Sequence, residues 1–256
     1  MANLIRMDLY RMRKAKGFKV CLLLAFLFSL LSTPATRLLF SLGEIFGADV
    51  DLFPKQSNFS DIIKSQPGGI GVMLCLISVC GFFYADVENG YVKNIAGQMP
   101  RKGFTVLSKF VSAIPHCLLF MLVCVVGDLI GTLLFQRIVF DAGIADSLRI
   151  FVLRLLLIES LCAILLLFTA VIQSKSLGTT FAVLFGMNLL SLVYYGIDKG
   201  LDKIFTKKNF SIGDYMPDEV LNEPDPKTLK ALLVSAVVIC VFLYLSIRIF
   251  DKKDVK

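Results

Sequence analysis

At 256 residues the chain is 56% hydrophobic, with a mean hydropathy of +0.75 and a net charge of +7. That apolar share exceeds the roughly 45–50% of soluble domains, which excludes an ordinary water-soluble globule and calls for a lipid solvent. The positive charge is not a nucleic-acid footprint, because the basic residues collect beside the ends of apolar runs.

Residues 1–16 place Met1, Ile5, Leu9 and Met12 on one helical stripe and Arg6, Tyr10 and Arg13 on another, with Arg11 and Lys14 nearby. This pattern predicts an interfacial amphipathic helix, apolar side down and basic side toward anionic head groups. Six apolar runs then follow at about 18–36, 69–85, 108–135, 150–172, 177–196 and 229–250, each near the roughly 20 residues that a spanning helix needs. The fold expected is all-α and integral to a membrane, a single domain with six transmembrane helices.

The first run follows a basic start as a signal peptide would, but Thr33-Pro34-Ala35 is a poor cleavage site, so it reads as a retained span. Residues 37–46 read as a short amphipathic helix on the outer leaflet, opening a long outer loop over 37–68. The third run is long and is expected to tilt or break near Pro115. The loop over 197–228, charged and carrying Pro217, Pro224 and Pro226, reads as exposed and irregular.

Orientation follows from charge. With the amino terminus inside, segments 1–19, 86–109, 173–178 and 248–256 hold 15 Lys and Arg against 5 Asp and Glu, whereas acidic residues predominate in the outer loops. The positive-inside rule therefore puts both termini of this multi-pass chain in the cytoplasm.

Motifs for chemistry are missing. No Gly-x-x-x-x-Gly-Lys-Ser/Thr phosphate loop occurs, and His116 is the single histidine, which rules out a His-Glu-x-x-His site within the chain. The seven cysteines lie in apolar runs without a Cys-x-x-Cys pair, so neither a disulfide framework nor a zinc site is expected. No catalytic residue and no cofactor are expected on the chain itself.

Three ionisable residues fall inside the spans: Asp128, Arg154 and Glu159. Facing lipid, each would cost roughly 2.5–3.5 kcal/mol, so each is expected to face the bundle or water. Asp128 and Arg154 lie at similar depth and are expected to pair, fixing two helices; Glu159 is expected to line a polar path. Gly127 and Gly131 flank Asp128 in a Gly-x-x-x-Gly spacing that permits close helix contact.

The loop after the second run reads Asp86-Val87-Glu88-Asn89-Gly90-Tyr91-Val92-Lys93-Asn94, continuing to Met99-Pro100-Arg101-Lys102, a mixed-charge knob suited to docking in a partner's groove. It resembles the permease subunits of type-2 ABC exporters, in which an acidic residue, a Gly, a Lys and a Pro-Arg element recur between the second and third spans. Glu88, Gly90, Lys93, Pro100 and Arg101 occupy those places, and Lys109 follows. The start, Asp8-Leu9-Tyr10-Arg11-Met12-Arg13-Lys14, is similar to that family's connecting helix.

The resemblance implies a permease homodimer in a bacterial plasma membrane, with residues 86–101 as a cytoplasmic coupling helix that includes Asp86, Asn89 and Asn94. It also implies ATP and Mg on a separate nucleotide-binding ATPase subunit. Within the family the chain looks most like the bacitracin, lantibiotic and phenol-soluble-modulin subgroup, which implies export of an amphipathic or antimicrobial peptide. Two other readings remain open: an ion-coupled carrier or channel using Glu159, and a non-transporting membrane sensor or scaffold.

Overall fold

The computed structural model describes residues 2–45, 56–88, 103–172, 174–204 and 211–252. Helix α1 covers Ala2–Lys14 and is separated by Ala15 alone from α2, Lys16–Ile45. A short strand β1, Gln56–Asn58, leads into α3, Phe59–Ser65, and α4, Gly69–Glu88. Next come α5, Gly103–Phe135, strand β2, Arg137–Val139, and α6, Ile144–Ile172. Helices α7, Lys175–Gly186, and α8, Ser191–Ile204, precede a 3-10 turn at Gly213–Tyr215. The chain closes with α9, Pro217–Asn222, and α10, Thr228–Lys252.

Among the described residues four helices, Lys16–Leu39, Gly103–Phe135, Ile144–Ile172 and Thr228–Lys252, are long and apolar enough to cross a membrane. Two bent pairs, Phe59–Ser65 with Gly69–Ala85 and Lys175–Gly186 with Ser191–Leu201, bring the number to six if each pair is one span. The protein is thus an all-α membrane protein.

Several expectations need correction. Helix α2 runs through Pro34 to Ile45, so the separate helix expected at 37–46 is part of it. Of the two alternatives at Pro115 the break does not occur: helix α5 is unbroken over 33 residues with Pro115 inside it, since one lost hydrogen bond does not end so long an apolar ladder. The fifth run is not one helix. Asn188 takes φ 53, and the amides of Asn188 and Leu189 donate to the carbonyls of Phe185 and Leu184, a left-handed stop after which α8 departs at 75°.

The 197–228 segment is folded rather than irregular where it is described. Pro217, Asp218, Val220 and Leu221 are buried as α9 packs on α6, while Arg149 reaches Asp225 at 2.9 Å and Lys230 reaches Glu223 at 2.6 Å. At the same end β1 pairs in parallel with β2, Gln56 opposite Arg137 and Asn58 opposite Val139, a contact that three-residue strands do not announce in sequence.

Helix α6 is the hub: 67% of its most apolar stretch is buried within the chain, against 6% for α2 at the periphery. Lipid tails are as apolar as leucine, so helix contact rests on close packing of small residues rather than on water exclusion. A Cβ on Gly127 would lie 2.8 Å from the Phe26 carbonyl, and one on Gly131 would strike the Leu30 carbonyl, so α2 crosses α5 at the predicted pair. A second stripe, Gly178, Ala182 and Gly186 on α7, lies along α4 from Tyr84 to Met73.

Candidate functional site

The end of the bundle that holds α1 is tied together by buried polar contacts. Asp8 is 1% exposed and accepts the Ser108 hydroxyl at 2.5 Å, which docks α1 on the first turns of α5. The face of α1 turned to the rest of the chain is therefore Leu4, Asp8 and Met12, which leaves Leu9 of the predicted apolar stripe exposed. The Asp8 carboxylate is satisfied inside by Ser108 and, at 3.8 Å, by Arg11. Of the other basic residues, Arg6, Arg13 and Lys14 are exposed, and Lys14 lies over the Tyr10 ring.

Lys109 is buried and donates to the Phe83 carbonyl at 2.7 Å, fastening the end of α4 to the start of α5. The Gly103 amide, one of the orphan donors at the α5 N-terminus, is capped by Asp251 of α10 at 2.8 Å. Asp86 and Glu88 belong to the last turn of α4. Asn89, Gly90, Lys93, Asn94, Pro100 and Arg101, with the coupling helix expected there, lie outside the described residues.

In the opposite half, no ion pair joins Asp128 to Arg154; Gln66 stands between them. Its side-chain amide donates to Asp128 at 3.1 Å, and its backbone carbonyl accepts from Arg154 at 3.3 Å. Asp128 also accepts the Ser32 hydroxyl at 2.5 Å, and Arg154 donates to the Glu223 carbonyl at 3.4 Å. Both charges are instead held by one loop residue that no hydropathy pattern singles out. Two cavities flank α2 and α4: one of about 480 Å³ lined by Ser29, Ser32 and Gln66, the other of about 380 Å³ lined by Arg11, Phe18, Ser78 and Lys175.

Glu159 is 3% exposed and lines neither cavity; it packs beside Cys117 and Cys162, and among the described residues no nitrogen or oxygen donor reaches its oxygens, which have only the Cys117 thiol beside them. His116 is buried, its ring centroid 4.7 Å from that of Phe18 and 5.0 Å from that of Phe120.

Outside the spans, burial pushes the Asp218 carboxyl up to about 6. Asp141 moves the other way, because the Ser60 hydroxyl donates to its carboxylate at 2.5 Å. No protein-family model matches the chain, and no curated protein matches it at a significant level.

Proposed function

We propose that this chain is the membrane-spanning permease subunit of an ATP-driven exporter, with ATP and Mg bound on a separate ATPase subunit. One observation carries the reading: the helices on either side of the 89–102 segment are locked by the buried Lys109–Phe83 contact, and α1 is locked to them by Asp8–Ser108. In a low-dielectric interior such satisfied polar contacts are strong. A push on the intervening segment by a partner therefore moves α1, α4 and α5 together instead of being lost in side-chain slack.

In this reading the chain crosses the bilayer six times, the α7–α8 pair making the fifth crossing, with both termini in the cytoplasm and a second copy completing the pathway. Residues 86–101 dock in the ATPase, and α1 lies in the inner interface. An amphipathic peptide suits the two cavities beside α2, each of which sets serine or basic side chains among apolar walls.

The test is copurification of an ATPase subunit with the tagged chain from the cells that make it, comparing wild type with Glu88→Ala and Arg101→Ala. We expect a stable complex whose association weakens about tenfold or more in the variants, as loss of a charge-assisted contact worth roughly 1.5–3 kcal/mol implies. If no ATPase associates with the tagged chain, the exporter reading is wrong.

A further inference from the structure

In the middle of the bundle three helices gather soft donors that are far apart in sequence. The sulfur of Cys117 on α5 lies 3.8 Å from that of Cys162 on α6 and 3.7 Å from that of Cys75 on α4. Glu159 precedes Cys162 by three residues, on the same face of α6. One of its carboxylate oxygens and the Cys117 and Cys162 sulfurs all lie within 4.8 Å of one another. Each of these side chains is at least 97% buried, Cys75 at 2% exposure and Glu159 at 3%.

The sulfur spacing equals van der Waals contact and decides nothing alone. Glu159 decides. A carboxylate stripped of water, with no partner beyond a neighbouring thiol, is among the costliest groups to bury, and it is tolerated if it holds a proton or a cation. Beside it are thiols at the separation that a tetrahedral ion imposes, since a Zn–S length of about 2.3 Å sets two thiolates about 3.8 Å apart. A sulfur-rich set with one carboxylate suits a borderline-soft ion and disfavours magnesium or calcium, which take oxygen ligands.

We propose that Cys117, Cys162 and Glu159, with Cys75 packed against Cys117 beside them, form a buried three-ligand site for one thiophilic divalent cation of the zinc class. The ion clamps α5 to α6 at a single point. Its ligands surrender protons to solvent on binding, so affinity rises with pH. Spacing along the chain hides the site because only Glu159 and Cys162 share a helix. The inference is independent of the exporter reading.

The full chain in lipid nanodiscs, stripped with a chelator, is loaded with Co²⁺ as a spectroscopic probe and then with Zn²⁺. We expect one Co²⁺ per chain, a thiolate-to-cobalt charge-transfer band, displacement by Zn²⁺, and protection of the buried thiols from a membrane-permeant maleimide. Cys117→Ser and Cys162→Ser abolish the band, and Glu159→Gln weakens binding by at least about tenfold. Cys240→Ser, at an exposed cysteine, leaves it unchanged. Absence of a charge-transfer band in the wild type overturns the proposal without reference to any variant. So does a band that persists in the Cys117→Ser, Cys162→Ser double variant eluting as wild type does.

Discussion

Gln66 faces two charges at once, its amide on Asp128 and its carbonyl on Arg154. Gln66→Leu keeps the carbonyl but removes the donor, leaving a buried carboxylate short of one partner. The expected loss is about 1–3 kcal/mol, read as a lower thermal midpoint in detergent. Asp218 supplies a pH dependence. Its carboxyl titrates near 6 in the folded chain against 3.8 in the free state. Between those values the folded state binds more proton, so stability falls as pH rises from about 4 to about 6. Asp218→Asn should flatten that slope in thermal melts across the same range, and an unchanged slope would move its origin elsewhere.

Among the helices, the left-handed residue that ends α7 is the most local determinant. Asn188→Gly should preserve the bend, whereas Asn188→Leu should cost about 1–2 kcal/mol, since a branched side chain resists positive φ. The glycines offer a matched comparison in the same assay. Gly131→Ala drives a methyl into the Leu30 carbonyl and should cost about 1–3 kcal/mol. Gly81→Ala meets nothing within 4 Å and should be neutral or gain up to about 1 kcal/mol from helix propensity. Long apolar runs and intramembrane charges were legible in the sequence because each follows from the cost of placing a residue in hydrocarbon. The bend at Asn188, the glycine stripe of α7 and the role of Gln66 were not, because one residue's backbone angle or one loop amide vanishes in an average over twenty residues. The burial of Asp8 was not legible for a related reason: polarity says that a carboxylate needs a partner, not that Ser108, 100 residues away, supplies it.

Across the whole molecule the polar contacts fall at two ends. One end holds α1, the start of α5 and the end of α10; the other holds α3, the strand pair and α9. In a Cys240→Ser background, Arg6→Cys and Lys252→Cys should react with a membrane-impermeant maleimide from one side, and Asp61→Cys and Asp225→Cys from the other. A pair split between sides would break this arrangement.

Helix lengths carry a separate consequence for the lipid. Helix α4, at 20 residues, is about 30 Å long, which matches a typical hydrocarbon core, whereas α5, at 33 residues, is about 50 Å long. No slab of uniform thickness fits both upright, so α5 must lean across the bilayer or stand proud of it while α4 sits flush. Bilayers with longer acyl chains suit α5 and strain α4, and thinner ones do the reverse, which makes the annulus of lipid around this protein uneven by construction.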